Sequence, residues 1–209
     1  MKVLAFEGIN GAGKSTCAAA LRDALQIGRL NCVVSDPAAA GLLGRAYRVK
    51  LVEPDVEHHA GFDSVVFAAL RMEGARSLLK HLESNPVDVV ILERWTLAID
   101  AYGRAAGARV ELLHELMLVL DSILKVDDTI LIDADGALTA HRIPDRSDQN
   151  RFERAGVEYA DRLAREHRAA AHRLGAFTVD GSRPVGETVD AILENLAGRW
   201  PDLPRLADT

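Results

Sequence analysis

The chain has 209 residues, a mass of 22.6 kDa and a formal net charge of −6. Hydrophobic residues make up 48% and charged residues 27%, a balance that excludes disorder, collagen-like repeats and coiled-coil rods. No apolar run approaches the ~18 residues that span a bilayer, the start MKVLAFEG lacks the form of a secretory leader, and the acidic excess argues against a nucleic-acid polymer as partner.

The length predicts one domain over residues 1–209. Cys17 and Cys32 have neither metal nor redox spacing, which fits a reducing cytoplasm. A cytoplasmic protein with no membrane partner is expected.

The elements follow in chain order. Val3–Phe6 reads as a short buried strand ending at Gly8. A helix runs from Lys14 to about Gln26, with Ala18, Leu21 and Leu25 on one face. Asn31–Ser35 is a second strand, stopped by Asp36-Pro37. Phe62–Glu83 reads as helix. Val87–Leu92 is an apolar strand rich in β-branched residues. Val110–Lys125 is a helix whose wide apolar stripe suits either plain core or a subunit contact. Thr129–Ile132 is a strand, Phe152–Leu174 a long helix, Phe177–Val179 a strand and Val185–Leu196 a closing helix. This alternation predicts an α/β fold of three layers, a five-stranded parallel sheet flanked by helices. The segment Ala140–Arg151 is polar and charged, and reads as a short Arg-rich lid.

Gly8-Ile9-Asn10-Gly11-Ala12-Gly13-Lys14-Ser15 fits the pattern G-x-x-x-x-G-K-[ST] between a strand and a helix. Glycines let the backbone turn its N–H groups onto phosphate oxygens, and the helix that follows aims its positive end at the same anion. Asn10, Gly11, Ala12, Gly13, Lys14, Ser15 and Thr16 are therefore expected to hold the phosphates of a nucleotide, a start that GTPases, motor ATPases and small-molecule kinases share. Lys14 reaches the β- and γ-phosphates, Ser15 ligates Mg²⁺, and Thr16 offers a hydroxyl to the α-phosphate. Glu93 ends the third strand, where such proteins hold Mg²⁺, and Arg94 follows at the ligand-binding end of the sheet. Arg142, Arg146 and Arg151 lie at intervals of four and five residues. As guanidinium forks they suit a transferring phosphoryl group, although Asp145, Asp148 and Glu153 also permit a plainly solvated loop.

With these residues in place, the chain resembles the thymidylate kinase family of P-loop nucleoside monophosphate kinases. Phe6–Thr16 resembles its P-loop segment. Phe67-Ala68-Ala69-Leu70-Arg71 resembles its base-binding helix. Glu93-Arg94-Trp95 with Ala101-Tyr102 resembles its Asp-Arg-Tyr motif. Arg142, Arg146 and Asn150-Arg151-Phe152-Glu153 resemble its lid, and Val179-Asp180 its last strand. The resemblance implies transfer of a phosphoryl group from ATP, with Mg²⁺, to a pyrimidine nucleoside monophosphate. It implies catalytic roles for Lys14, Arg94, Arg142, Arg146 and Arg151. Phe67 would stack on the acceptor base, Arg71 would contact it, Arg94 would hold the acceptor phosphate and Tyr102 would lie under the sugar. Asp36 keeps an acid near the acceptor. A homodimer is also implied.

The departures cluster at the acceptor. Asn10 and Glu93 stand where the family has Asp, Ala98-Ile99 where it has small polar residues, Leu70 and Asn150 where it has Asp, and Ser35-Asp36-Pro37 where it has Arg-Glu-Pro. Ile99 cannot hydrogen-bond a pyrimidine edge, so the acceptor is expected to be dTMP or a related or modified pyrimidine nucleotide. Two other readings stay open: a nucleoside kinase acting on a 5′-hydroxyl with Asp36 as base, and a non-catalytic nucleotide-binding module. His58-His59 is not expected to bind metal. His114, His167 and His172 are expected at the surface.

Overall fold

The structure is a computed structural model that describes residues 1–52, 59–143 and 150–200, and the side chains among them except those of 48–52 and 151. Strand β1 (Lys2–Glu7) leads into helix α1 (Lys14–Ile27), β2 (Cys32–Ser35), α2 (Pro37–Ala40), α3 (Leu42–Val52) and α4 (Ala60–Ser84). Strand β3 (Val89–Glu93) is followed by α5 (Thr96–Ala105), α6 (Val110–Ile123), β4 (Asp128–Asp133), α7 (Gly136–Arg142) and α8 (Arg151–Arg154). Helix α9 (Gly156–Leu174), β5 (Phe177–Asp180) and α10 (Val185–Arg199) complete the order.

The five strands form one parallel sheet in the order β2-β3-β1-β4-β5. Alternate residues of β1 feed two cores, as the two-residue period of a strand requires. Leu4 and Phe6 pack with Leu21 and Leu25 of α1, Leu163 of α9 and Ile192 and Leu196 of α10. Val3 and Ala5 pack with Leu78 of α4, Leu113 and Leu120 of α6 and Ile99 of α5. Helices on both faces explain why β1, β3 and β4 read as continuous apolar runs. Among the described residues no helix is long and apolar enough to cross a membrane.

Helix α5 is fixed by charge as well as by packing. Asp100 is buried, and Arg104 and Arg173 donate to its two oxygens at 2.6 and 2.5 Å. One bond is a turn away on α5 and the other comes from the end of α9, so the pair ties the two helices together.

The expected fold class stands, with local corrections. The predicted helix Phe152–Leu174 is broken: α8 ends at Arg154, and Gly156 takes φ +81°, a left-handed backbone that ends one helix before the next begins. Helices α2, α3, α5 and α7 lie in segments to which the sequence reading assigned no element. Part of the predicted lid is helical, since Ala140, His141 and Arg142 close α7; residues 144–149 lie outside the described residues. His167 is not a surface residue but is 1% exposed, inside the α5–α9 contact.

Gly74 of α4 marks a close approach. A Cβ there would lie 1.9 Å from the Pro37 carbonyl oxygen of α2. Gly74→Ala is expected to lose roughly 1–3 kcal/mol in urea unfolding. Gly198→Ala, whose methyl meets no atom within 4 Å, is expected to leave stability unchanged or slightly raised.

Candidate functional site

The site forms at the carboxyl ends of β1 and β3. These strands pair with Phe6 opposite Glu93, so the loop after β1 and the turn after β3 lie side by side. After β1 the chain makes a glycine-rich loop with φ +139° at Gly8, +78° at Gly11 and +102° at Gly13. A side chain at Gly8 would collide with the Ile132 carbonyl oxygen at 2.5 Å. Gly13 is the N-cap of α1 and supplies no side-chain cap. The first N–H groups of α1 therefore have no side-chain partner, which is the arrangement that binds an anion.

Lys14 is 7% exposed, and its Nζ donates to the Ile9 carbonyl at 2.7 Å across the same loop. Burial pushes its pKa well below the ordinary lysine value, and the nearby Arg94 pushes further; Glu93, Glu7 and Asp36 oppose them. An ammonium held in that balance gains from a phosphate dianion beside it. Ser15 Oγ donates to Glu93 Oε2 at 2.5 Å. A hydroxyl and a carboxylate so juxtaposed are hard oxygen donors suited to Mg²⁺. The cradle and this oxygen pair fit a Mg²⁺–nucleotide.

Arg94 sits in a turn that few side chains adopt, with φ +68°. Strain of this kind amounts to roughly 1–3 kcal/mol and persists only where surrounding bonds over-determine it. The bonds are present. Arg94 N–H donates to the Phe6 carbonyl at 2.9 Å, and the next N–H, of Trp95, donates to Glu7 Oε1 at 2.5 Å. The guanidinium donates to the Gly8 carbonyl at 2.8 Å and to Asn10 Oδ1 at 2.5 Å, and lies 5.3 Å from the Tyr102 ring centre. The P-loop and the β3 turn thus aim one guanidinium at one place.

A cleft of about 690 Å³ opens there. Asn10, Gly11, Lys14, Ser15, Asp36, Phe67, Arg71, Glu93, Arg94, Ile99 and Tyr102, all singled out from the sequence, line it. Arg71 is 3% exposed; its guanidinium donates to the Phe67 carbonyl at 3.0 Å and stands 6.0 Å from the Phe67 ring centre. Leu70, Ala98 and Ile99 make part of the wall apolar. Asp36 caps α2, accepting from Ala39 N–H at 3.2 Å.

Other predicted residues fall elsewhere. Ala12 is buried behind the loop, and Thr16 lies exposed on the first turn of α1. Arg142 ends α7 with its guanidinium on two backbone carbonyls, Gly181 at 2.8 Å and Ala12 at 3.4 Å, against the outside of the P-loop. Arg146 and His58 lie outside the described residues, as does the side chain of Arg151.

The sequence reading missed three residues. Glu7 is fully buried beneath Arg94; a carboxylate ending an otherwise apolar strand was the available signal. Phe152 was placed on a helix stripe and in the lid, but its ring enters the cleft, 6.0 Å from Phe67 and 5.0 Å from Tyr102 between centres. His167 packs edge-on against Tyr102 at 5.4 Å, with Nδ1 2.8 Å from the Leu163 carbonyl.

The thymidylate kinase family profile matches residues 6–192. The chain belongs to the thymidylate kinase family. It is 30% identical to a thymidylate kinase of Nitrosomonas europaea, with 97% of this chain and 95% of the relative aligned. It is 32% identical to one of Bordetella petrii over 89% and 90%. A probable thymidylate kinase of Pyrobaculum calidifontis is 31% identical over 91% and 95%. Membership in the family accords with the parallel five-stranded sheet and with the glycine loop.

Burial lowers the His167 pKa to about 3, against 6.5 in the unfolded chain. The unfolded state then binds the extra proton between those values, so stability falls as the pH drops below about 6.5. Comparing urea unfolding at pH 7 and pH 5, His167→Phe is expected to lose roughly 2 kcal/mol less than the parent protein. An equal loss in both proteins would remove His167 from the acid response.

Proposed function

We propose that this chain transfers a phosphoryl group from Mg-ATP to a pyrimidine nucleoside monophosphate, dTMP or a close relative, giving the diphosphate and ADP. The observation that carries the reading is a single cleft with two differently built ends. One end has the glycine loop, Lys14 and the Ser15–Glu93 pair. The other has Arg94, Tyr102, Phe67 and Arg71.

Bound Mg-ATP supplies the phosphoryl group. Asn10, Gly11, Ala12, Gly13 and Thr16 belong to the loop that receives its phosphates, with Lys14 countering charge on the β- and γ-groups. Ser15 and Glu93 would hold the Mg²⁺. Arg94 binds and aims the acceptor phosphate, one of whose oxygens forms the new bond to phosphorus while the bond to the ADP oxygen breaks. Phosphoryl transfer of this kind depends on positioning and charge neutralisation more than on covalent help from the protein. Arg146 and Arg151 are the arginines left to add charge around the phosphates, whereas Arg142, held by the Gly181 and Ala12 carbonyls, braces the back of the loop. Two cations at the acceptor end, Arg71 and Arg94, favour a substrate that already carries phosphate over a neutral nucleoside.

Phe67 stacks on the acceptor base, Arg71 donates to its edge, Tyr102 supports the sugar and Asp36 lies near the acceptor. Leu70 and Ile99 leave part of the base edge without a hydrogen-bonding partner. That composition supports a pyrimidine recognised by shape and by Arg71. The family's homodimer would use the side of the molecule where Phe62 and Val65 of α4 and Leu118 and Val119 of α6 are exposed. The apolar stripe of Leu113, Leu116, Met117, Leu120 and Leu124 instead packs into the core. The buried thiols of Cys17 and Cys32 fit work in the cytoplasm.

The test is ADP release from Mg-ATP across nucleoside monophosphates, 5-substituted pyrimidine monophosphates and the matching nucleosides. Turnover is expected with one or more pyrimidine monophosphates. Turnover with nucleosides alone would contradict the reading. Ile99→Asn is expected to raise dTMP turnover relative to the other pyrimidine monophosphates by roughly tenfold, the scale of one added polar contact to a base edge. An unchanged ratio would remove Ile99 from specificity.

A further inference from the structure

Glu7 ends β1 one residue before the glycine loop and is 0% exposed. It does not line the cleft. Its Oε1 accepts from Trp95 N–H, the residue after the strained Arg94 turn, while its Oε2 is buried with no hydrogen-bond partner among the described residues. Burial raises its pKa, and the opposing influences are the Trp95 N–H, then the charges of Arg71 and Arg94, then the Ala98 N–H. Arg71 shows the reciprocal pattern: burial lowers its pKa, and Glu7 is the foremost charge opposing that. Arg71 Nε is also buried and has no partner among the described residues. A carboxylate oxygen and a guanidinium N–H are therefore both held out of water, close enough to feel each other's charge, without being spent on one another. A buried cation or anion left alone is costly, and an opposing charge behind it offsets that cost.

The two arginines come from distant elements, Arg71 from α4 and Arg94 from the β3 turn. Glu7 is the anion that both feel from the β1 side. We propose that Glu7 is a positioning residue for the acceptor end of the cleft: it fixes the left-handed Arg94 turn through Trp95 N–H and supplies the counter-charge that holds Arg71 and Arg94 facing the substrate. The inference rests on the proposed function, in which those arginines meet the acceptor.

A plain helix-end hydrogen bond and a charged positioning role respond differently to Glu7→Gln. The amide oxygen can still accept from Trp95 N–H. The amide nitrogen then presents donors where two cationic donors already stand, so the arginines lose their counter-charge and are pushed from their places. Glu7→Asp keeps the charge one methylene further back.

The experiment is steady-state kinetics with ATP and the pyrimidine monophosphate varied in turn. For Glu7→Gln the acceptor KM is expected to rise about 10- to 100-fold, the cost of misplacing a binding group. The ATP KM is expected to stay within about twofold, because Lys14 keeps the Glu93 and Asp36 charges that support its ammonium. Glu7→Asp, with its charge one methylene further back, is expected to raise the acceptor KM less, by about three- to tenfold. If Glu7→Gln does not fold, Glu7→Asp decides: a rise of about threefold or more in the acceptor KM alone supports the role, and an unchanged acceptor KM overturns it. Equal rises in both KM values, or a fall in kcat with both KM values unchanged, would also overturn it. Parent protein that turns over no nucleoside monophosphate would overturn the proposed function, and this inference with it. Parent turnover with an unchanged acceptor KM in Glu7→Gln would overturn the inference alone.

Discussion

Two backbone N–H groups in succession, those of Arg94 and Trp95, are captured by the end of the neighbouring strand. The first goes to the Phe6 carbonyl and the second to the Glu7 carboxylate. Parallel pairing of β1 with β3 brings those partners together, and the pair holds the chain at φ +68° where a left-handed residue other than glycine is otherwise uncommon. From that turn the Arg94 side chain reaches back over the glycine loop to Gly8 and Asn10, while Glu93 just before it meets Ser15. On the proposed function, the donor end and the acceptor end of the cleft are thereby registered by one seam in the sheet. Phosphoryl transfer is sensitive to distance and alignment, so a rigid seam between the two binding ends is a physical asset.

The remainder of the architecture supports that seam from both faces. The cores on either side of β1 fix the strand, and the Asp100 ion pairs fix α5, which follows directly from the turn. His167 from α9 presses on Tyr102 from beneath. A segment lying over the cleft contributes Phe152, whose ring joins Phe67 and Tyr102 in an aromatic lining. Aromatic faces suit a flat base, and cations beside them suit its phosphate and its carbonyl edge. The family match extends over residues 6–192, and Leu70, Ala98 and Ile99 make part of the cleft wall apolar.

The strands, the glycine loop and many of the residues that line the cleft were legible in the sequence for definite reasons. A strand buried on both faces is an unbroken apolar run, and a phosphate loop needs glycines at set positions. Glu7 escaped because one charged residue after an apolar run reads as the strand leaving the core. Its burial depends on Arg71 and Arg94, which are distant in sequence. His167 escaped because α9 is rich in charge, and only its register against α5 decides which polar residue turns inward. The break at Gly156 was hidden because Phe152, Ala155, Tyr159 and Leu163 keep a helical spacing across it. Helix α5 begins at Trp95 without a side-chain cap of its own, so the usual start signal is absent; the Glu7 carboxylate stands at that end instead.

The central claim is that Arg94 serves the acceptor end of the cleft and leaves the donor end to the glycine loop. The most direct measurement is calorimetric binding of ATP and of the preferred monophosphate, each alone, to the parent protein and to Arg94→Ala. The account predicts a monophosphate affinity weaker by roughly 10- to 100-fold, as expected when a charged hydrogen-bonding group is lost, with ATP affinity little changed. Equal weakening of both ligands, or an unaltered monophosphate affinity, would contradict it.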